Sequence, residues 1–196
     1  MAVIANSSMS LDGFIAQADD DPGPVFDWWE SGAVETAPGD PDRTFHISPA
    51  SADYISRSWA GIGAEVIGRR LFDITDGWKG RPPAGGGHVV VVTHRPPVQW
   101  RYAADAPFEF VADLPDAIAR AVELADGKDV SITGGDLTGQ ALAAGLVDEL
   151  RIELTPVILG GGISFFGGYA GEPLLWEDPE VVQGERVTHL RYRRRR

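Results

Sequence analysis

The sequence predicts a single α/β domain in which strand–helix–strand units come first and antiparallel strands come last. A continuous β-branched run over residues 88–93 is typical of a parallel strand that is buried on both faces. Strict alternation of apolar and charged residues over Glu149–Leu154 predicts a strand with one solvated face. The chain has 196 residues without an internal repeat or an evident linker, which suits one well-buried domain.

The composition limits the possible partners of the protein. A net charge of −12 argues against a nucleic-acid-binding surface, and no apolar run approaches the roughly 20 residues that cross a membrane. The lack of cysteine and of a basic leader indicates a cytoplasmic protein without disulfides. The four histidines are scattered, so we expect no metal site.

The first predicted strand, residues 3–5, runs into a turn at Asp12-Gly13. The local chemistry leaves two interpretations of Asp12 open. Its side chain can bond to the backbone of its own turn, as short acidic residues often do. Alternatively, it is a functional carboxylate at the end of a central strand, where open α/β sheets bind their ligands.

A long irregular stretch, residues 17–47, follows this turn and is rich in Asp, Pro and Gly. Loops of this length inside a compact domain are usually functional or poorly ordered. The aromatic residues Phe26, Trp28 and Trp29 favour order, because burying them offsets the entropy of fixing the loop. They can cover a flat aromatic ligand, or they can pack on the core of the domain or on a second subunit.

The pair Ser48-Pro49 predicts a helix start, because a capping hydroxyl precedes a proline of the first turn. A buried strand over residues 64–67 follows and ends at Gly68. Arg69 and Arg70 come directly after this glycine. They can bind a phosphate, or they can be solvated residues of a helix surface.

A Gly- and Pro-rich loop, residues 77–87, leads to the strand over residues 88–93. This strand also ends in polar and basic residues, namely Thr93, His94 and Arg95. A further strand is predicted over residues 108–111. Asp113 is then expected to cap the next helix, whose apolar residues share one face.

Residues 130–133 form a short β-branched run that stops at Gly134-Gly135, and apolar residues at helical spacing begin directly afterwards. The pattern predicts a strand, a tight turn and a helix whose N-terminus faces the turn. Such a junction leaves backbone N–H groups unpaired, and the missing Cβ atoms let a phosphate approach closely. The alternative is a turn that needs glycine only for its dihedral angles.

Two strand-like segments finish the chain, around residues 174–176 and over residues 187–193. The basic residues 191–196 are expected to be the solvated end of the last strand. A contact between this tail and an anionic partner is the alternative.

Four segments, in their order along the chain, resemble one known family. They are Ser-Leu-Asp-Gly-Phe-Ile-Ala from residue 10, Val-Ile-Gly-Arg-Arg-Leu-Phe from residue 66, Ile-Thr-Gly-Gly-Asp from residue 132, and Leu-Val-Asp-Glu-Leu from residue 146 with Thr-Pro-Val-Ile-Leu-Gly-Gly from residue 155. Together they are similar to the dihydrofolate-reductase-like superfamily, in its branch related to the RibD C-terminal reductase domain of riboflavin biosynthesis. The resemblance implies a mixed, mostly parallel central sheet flanked by helices, an NADPH-dependent reductase activity and a homodimer.

The resemblance also implies positions for the cofactor NADPH. The pyrophosphate would lie on the Gly134-Gly135 turn, the adenosine 2′-phosphate at the end of the strand over residues 88–93, and the nicotinamide beside the first strand. The implied cofactor residues are Ser8, Ile15, Ala16, Gly68, Arg69, Arg70, Thr93, His94, Arg95, Gly134, Gly135, Asp136, Leu137 and Thr138.

Asp12 matches the acidic residue of the family's Ser-Leu-Asp-Gly motif, and the resemblance therefore implies a catalytic role for it. The implied substrate contacts are Asn6, Ser10, Phe26, Trp28 and Trp29. Riboflavin reductases usually carry lysine at the position of Asn6, and a Gly-Thr-rich stretch with Asp-Asp-Pro in place of the segment from Gly68. Because those elements serve a phosphorylated pyrimidine, the resemblance does not extend to that substrate.

We therefore expect hydride transfer from NADPH to a C=N or C=O carbon of a small heterocyclic substrate. Asp12, or a water that it orients, would supply the proton. A flavin in the same cleft, stacked on the aromatic loop, is one alternative. A non-catalytic dimer that binds NADP(H) is the other.

Overall fold

The fold is built on an eight-stranded sheet. A computed structural model describes residues 1–37, 43–83 and 87–195. The strands are β1 (Val3–Met9), β2 (Phe14–Ala16), β3 (Val34–Thr36), β4 (Phe45–Ile47), β5 (Ile62–Gly68), β6 (His88–Val92), β7 (Phe108–Val111), β8 (Asp129–Thr133), β9 (Glu149–Leu154), β10 (Ile163–Ser164), β11 (Glu180–Gln183) and β12 (Thr188–Arg193). Their order in the large sheet is β11-β12-β9-β1-β8-β5-β6-β7, while β2 pairs with β10 and β3 with β4.

Most strand pairs of the large sheet are parallel. The ladders that join β9, β1, β8, β5, β6 and β7 all run parallel. β12 is antiparallel to β9, and β11 is antiparallel to β12. The mixed, mostly parallel sheet with antiparallel C-terminal strands is thus confirmed. The carboxyl ends of its parallel strands lie along one edge, which we call the carboxyl edge.

Helices cover both faces of the sheet. They are α1 (Pro49–Ala60), α2 (Arg69–Thr75), α3 (Leu114–Leu124) and α4 (Asp136–Ala143), with 3-10 helices at Gly23–Glu30 and Asp76–Gly80. Val90 packs in the cluster that contains α3 and α4, whereas Val89 and Val91 pack with Phe72 of α2. β6 is therefore buried on both faces, as its β-branched run predicts. None of the helices in the described ranges is long and apolar enough to span a membrane.

The ends of two helices test the predicted caps. Ser48 is the N-cap of α1, and its hydroxyl accepts a hydrogen bond from the Ser51 amide at 3.3 Å, as expected. Asp113 stands at the N-cap position of α3, but its side chain makes no capping hydrogen bond. The prediction for Asp113 is correct in position and wrong in mechanism.

The two predicted loops hold more regular structure than their composition suggests. Residues 17–47 contain the 3-10 helix over Gly23–Glu30 and the β3–β4 hairpin, because Trp28 of the helix and Ile47 of β4 pack in one buried cluster. The predicted loop over residues 77–87 begins with a 3-10 turn whose residues have left-handed dihedral angles. Residues 38–42 and 84–86 of these two predictions lie outside the described residues.

The prediction of one solvated face for β9 is wrong. Leu150 and Ile152 pack in the core with α3 and α4, but Glu149, Arg151 and Glu153 on the other face are also buried. α1 and the 3-10 helix over Gly23–Glu30 lie on that side of the sheet, where Trp28 and Ile55 pack together. The charged positions of the alternation therefore indicate a buried polar layer and not solvent.

The C-terminal strands also differ in part from the prediction. The predicted strand around residues 174–176 is reduced to one bridge between Trp176 and Arg194, and β11 was not predicted. The last strand forms as β12. Its arginines are not simply solvated, because Arg191 and Arg193 form ion pairs with Glu180. Residue 196 of the predicted basic tail lies outside the described residues.

Ile132 is fully buried at the centre of the sheet, so its truncation tests the packing of the core. We expect Ile132→Ala to lower the free energy of unfolding by about 2–5 kcal/mol, because lost apolar burial and a residual cavity add. Val98 is 96% exposed, and Val98→Ala should change stability by less than about 0.5 kcal/mol. Urea denaturation of both variants checks the prediction, and equal effects would contradict the arrangement of the core.

Candidate functional site

The candidate site lies on the carboxyl edge, where the order of the strands departs from the order of the chain. β8 enters the sheet between β1 and β5, and the following strand β9 lies on the other side of β1. Connections that leave adjacent strands in opposite directions create a crevice at their carboxyl ends. Most of the predicted cofactor residues lie at or directly after the ends of β5, β6 and β8, while Ser8 lies in β1 and Ile15 and Ala16 lie in β2.

The turn at Gly134-Gly135 lies between β8 and α4, as predicted. The Gly134 amide donates to the Asn6 carbonyl oxygen at 3.1 Å, and the Gly135 amide donates to the Phe165 carbonyl oxygen at 3.0 Å. Gly135 has a φ of 114°, which favours glycine, so the dihedral explanation of this turn holds. Both glycine amides are thus used within the protein and are not free for a phosphate.

The first turn of α4 retains its anion-binding groups. The first hydrogen bond of the helix is donated by the Gly139 amide to the Gly135 carbonyl oxygen at 3.2 Å. The amides of Asp136, Leu137 and Thr138 come before it and have no acceptor within the helix. These amides carry the positive end of the helix dipole. The Thr138 side chain is fully buried and donates to the Thr133 carbonyl oxygen, so only its backbone faces the turn.

The structure brings several predicted cofactor residues together along the carboxyl edge. A Cβ atom on Gly134 would lie 3.3 Å from Ile15 Cγ2, and one on Gly68 would lie 3.7 Å from Leu137 Cδ1. Ala16, next to Ile15, is buried and pairs with Ile163 in the β2–β10 ladder. β2, the turn before α4 and the end of β5 therefore form one continuous surface.

That surface continues into an open pocket at the end of β6. The pocket has a volume of about 580 Å³ and is lined by Arg69, Thr93, His94, Arg95, Pro96, Pro97 and Val98. Arg69 holds one wall of the pocket in place, because the Arg69 guanidinium bonds to Asp73 at 2.8 Å and to the Arg95 carbonyl oxygen. Arg95 is exposed and makes no ion pair with the described residues, which leaves its guanidinium for an anion.

Arg70 has a different environment from Arg69. Its Nε atom lies 2.7 Å from Asp20 Oδ1 in an exposed ion pair that joins α2 to the segment after β2. A phosphate at Arg70 would therefore compete with Asp20. The cofactor role of Arg70 stays a prediction.

Asp12 connects two loops of the carboxyl edge. Its Oδ1 atom accepts from the Ser10 hydroxyl at 2.6 Å and from the Leu159 amide at 3.1 Å, and its Oδ2 atom accepts from the Gly160 amide at 2.7 Å. The Ser10 bond and then these amides lower the pKa of Asp12, so it is ionised at neutral pH. Asp12 binds the backbone of a distant loop, which neither sequence interpretation foresaw. As a carboxylate, its side chain holds no proton to donate.

Ser10 takes part in the same clamp. Its side chain has no exposed surface, and its hydroxyl donates to Asp12 while accepting from the Phe14 amide at 3.0 Å. This geometry offers no accessible group to a substrate and gives Ser10 a structural role.

The aromatic residues of the 3-10 helix separate by burial. Trp28 is 1% exposed, stacks on Trp29 and donates from Nε1 to the Ser8 hydroxyl oxygen at 3.0 Å. Packing on the core of the domain therefore accounts for Trp28, and Trp29 continues the stack onto Trp59. Phe26 is 43% exposed. Contacts of these three residues with a substrate stay predictions.

Asn6 lies on the face of β1 that α1 covers, together with Ser8. Its Oδ1 atom accepts from the Ser131 hydroxyl at 2.7 Å, and the side chain is half-buried. This bond fixes the amide and leaves its NH₂ group as a donor. A substrate carbonyl is a suitable acceptor for that group.

The polar layer beneath α1 was missed by the sequence reasoning. Glu153 of β9 is the register partner of Ser8 on β1 and of His189 on β12, and all three side chains are buried. The His189 ring stacks on Tyr54 of α1 at 4.4 Å, and its Nε2 atom lies 2.9 Å from Ser51 Oγ. Alternation of polar residues along β9 was the available signal, but it does not reveal that helices bury that face.

Burial changes the charge state of two groups in this layer. Desolvation raises the pKa of Glu153 to about 7, although the positive charge of Arg151 opposes the shift. Desolvation lowers the pKa of His189 to about 4. At mildly acidic pH the folded protein therefore holds both side chains in their neutral forms.

Replacing Asp12 tests the clamp. We expect Asp12→Ala to increase hydrogen exchange at the Leu159 and Gly160 amides about tenfold, because both lose a charged acceptor. Exchange at Val130, whose amide bonds to the Ala2 carbonyl oxygen, should not change. Asp178→Ala, at an exposed position, serves as the control. Unaltered exchange at both loop amides in Asp12→Ala would show that the clamp does not hold the loop.

The neutral Glu153–His189 pair predicts a specific pH dependence of stability. Between the ordinary pKa values of 4.5 and 6.5, unfolding ionises the glutamate and protonates the histidine, so the two proton changes cancel. In Glu153→Gln, only the histidine of this pair changes its protonation on unfolding. The free energy of unfolding should therefore rise with pH by about 1.4 kcal/mol per unit relative to wild type. In His189→Gln, only the glutamate of this pair changes its protonation on unfolding, and the free energy of unfolding should fall with pH by the same amount.

Urea unfolding at a series of pH values measures these slopes. Glu177→Gln makes the same chemical change at an exposed position and should follow the wild-type slope. If all variants have the wild-type slope, the pair is not neutral in the folded protein.

Comparisons with known proteins agree with this architecture. The family model described as the RibD C-terminal domain matches residues 1–190. Among curated proteins, none matches the sequence of this chain. A crystal structure from Shewanella sp. PV-4, assigned to riboflavin biosynthesis, shares 25% identity with a TM-score of 0.69, and 100% of each chain is covered.

Two more distant structures share the fold. The Thermotoga maritima diaminohydroxyphosphoribosylaminopyrimidine deaminase/5-amino-6-(5-phosphoribosylamino)uracil reductase is 15% identical with a TM-score of 0.61, over 99% of this chain and 56% of that one. Dihydrofolate reductase from Enterococcus faecalis, complexed with NADP(H), is 15% identical with a TM-score of 0.61, over 100% of this chain and 97% of that one. The dihydrofolate-reductase-like fold is therefore confirmed.

Proposed function

The chain belongs to the RibD C-terminal domain family, and on that premise we propose that it is an NADPH-dependent reductase acting on a C=N or C=O bond of a small heterocyclic substrate. One observation carries this proposal. The first-turn amides of α4 and the guanidinium of Arg95, which makes no ion pair with the described residues, lie on the same carboxyl edge. A Cβ atom on Gly68, at the end of β5, would lie 3.7 Å from Leu137 of α4, so the two places are close along that edge. An anionic dinucleotide needs two such anion sites on one surface.

The residues present fit the cofactor in distinct ways. The α4 amides would hold the diphosphate, while Thr93, His94 and Arg95 would hold the 2′-phosphate in their pocket. Ile15 and Ala16 would frame the nicotinamide beside the Gly134 turn. When bound, the reduced nicotinamide supplies the hydride.

The chain's own residues would position the substrate and exclude water. Asn6 offers amide donors that its bond with Ser131 holds in place. The stacked indoles of Trp28 and Trp29 close the space between the 3-10 helix and α1. The Asp12 clamp fixes the glycine-rich loop after β9 against the end of β1. Asp12 acts through this loop, or through a water that it orients, and not as the acid itself.

A non-catalytic NADP(H)-binding protein is the second candidate, because Asp12 and Ser10 are both used in the clamp. This candidate binds the nucleotide without oxidising it. The predicted homodimer and cytoplasmic location stay predictions. A flavin enzyme of the same fold would bind FMN in place of NADPH.

Nucleotide binding tests the cofactor. A ligand at about a hundredfold over its Kd adds roughly 2.7 kcal/mol of stability, so NADPH should raise the Tm clearly, and NADH and FMN should raise it less. Arg95→Ala should weaken NADPH binding about tenfold and leave NADH binding unchanged, since only NADPH carries the 2′-phosphate. Arg57→Ala removes an exposed arginine of α1 and is the matched control.

Turnover separates the two candidate functions. NADPH oxidation should accompany reduction of a ketone, a cyclic imine or a dihydropterin. Tight NADPH binding with no oxidation by any of them identifies the non-catalytic protein. No response to any nucleotide rules out both.

A further inference from the structure

The polar layer beneath α1 contains a small group of side chains that the proposed function does not yet use. We call Ser8, Tyr54, Glu153 and His189 the polar chamber. Ser8 and His189 flank Glu153 on the neighbouring strands, and Tyr54 stacks on His189 from α1. Burial, and then the negative charge of Glu153, raise the pKa of Tyr54 to about 12.

Several polar atoms of the chamber lack partners. The Nδ1 atom of His189 and the Oη atom of Tyr54 are buried without a hydrogen bond in the described part of the chain. The Glu153 carboxyl group is hydrogen-bonded to its own backbone amide and to no side chain of the described residues, and 8% of its residue surface remains accessible. Buried polar atoms are rarely left unpaired, so the chamber is suited to hold water or an exchangeable proton.

The charged groups around Glu153 leave it without a full ion pair. Arg151 of β9 is instead bonded to Glu149 at 2.6 Å, and Arg191 of β12 also lies 2.8 Å from Glu149. Trp28 and Ser8 contribute no titratable group from the 3-10 helix and β1. The titratable groups that face Glu153 are Arg151 from its own strand, His189 and Arg191 from β12, and Tyr54 from α1.

Ser8 connects the chamber to the candidate site. Its hydroxyl oxygen accepts from Trp28 Nε1, which leaves the hydroxyl hydrogen free of bonds to the described residues. Ser8 also lies on the same strand and face as Asn6, the predicted substrate contact. Both oxygens of Asp12 accept hydrogen bonds in the clamp, and these bonds lower its pKa, so another group is better suited to supply the proton.

We infer that Glu153 stores the proton for the reduction and passes it to the substrate through the Ser8 hydroxyl. This inference rests on the proposed reductase function. In the step, the C–H bond that carries the hydride breaks and a C–H bond forms at the substrate carbon. The substrate oxygen or nitrogen takes the Ser8 proton, and Ser8 takes the proton of Glu153. The substrate gains two electrons, the nicotinamide loses them, and Glu153 becomes a carboxylate that solvent protonates again.

Two chemical probes separate proton supply from other effects of a substitution. Isatin, a flat heterocyclic ketone, needs both a hydride and a proton. An N-methyl cyclic iminium salt needs only the hydride, because its nitrogen is already cationic. Glu153→Gln should lower kcat for isatin about 100-fold, in the range of general acid catalysis, and leave kcat for the iminium salt within about twofold. The amide has the shape of the protonated acid, so the variant is expected to fold.

Ser8→Ala should show the same selective loss, and Glu177→Gln should show none. The wild-type pH profile of kcat for isatin should fall as Glu153 ionises, and this limb should vanish in Glu153→Gln. A readout without turnover is the carboxyl ¹³C NMR titration of the free protein. One glutamate signal should titrate near neutral pH in wild type and in Ser8→Ala, and it should be absent in Glu153→Gln.

The outcomes are distinguishable. Equal losses for both probes in Glu153→Gln, or an ordinary acidic titration of Glu153, overturn the proton store while the reductase function stands. Wild-type protein that reduces neither probe fails the proposed function, and the inference fails with it. A selective loss for isatin together with the near-neutral titration establishes both.

Discussion

Desolvation of the sheet face beneath α1 is the constraint on which much of this structure depends. Alternate residues of β9 carry charge, and α1 with its neighbouring 3-10 helix removes them from water. Buried charges must be paired or neutralised, because isolated ions are unstable in a medium of low polarity. Arg151 and Glu149 are paired, and Asp129 of β8 adds a further contact to Arg151 at 3.3 Å. Burial instead favours the neutral forms of Glu153 and His189, because it raises the pKa of the first and lowers that of the second.

On the carboxyl edge, some polar groups hold the protein's own loops and others are left for a ligand. Asp12, Ser10 and Arg69 are committed to contacts within the protein, and they hold the loops that follow β1, β6 and β9. The groups left for a ligand are backbone amides of α4 and the guanidinium of Arg95. The α4 amides are fixed before a ligand arrives and lose little freedom on binding, which favours affinity.

The sequence predicted the fold better than the site. Glycine junctions and β-branched runs identified the parallel strands, because those patterns depend on local geometry and burial of both faces. The partners of Asp12, at Leu159 and Gly160, lie 147 and 148 residues away and leave no local signal. Burial of Glu153 likewise depends on helices from a distant segment. The alternation along β9 is typical of an antiparallel strand with one solvated face, but in this fold α1 covers that face.

The position of β1 has a consequence for how the chain reaches this structure. β5, β6 and β7 are close in sequence and pair with one another, whereas β1 pairs only with β8 and β9. Its contacts join Val3 to Val130 and Ile4 to Glu149, across most of the chain. Such non-local parallel pairing forms slowly, and an unpaired strand edge can associate with other chains. β1 therefore stays unpaired until β8 and β9 follow it, and the amount of protein that folds without association depends on how quickly they form.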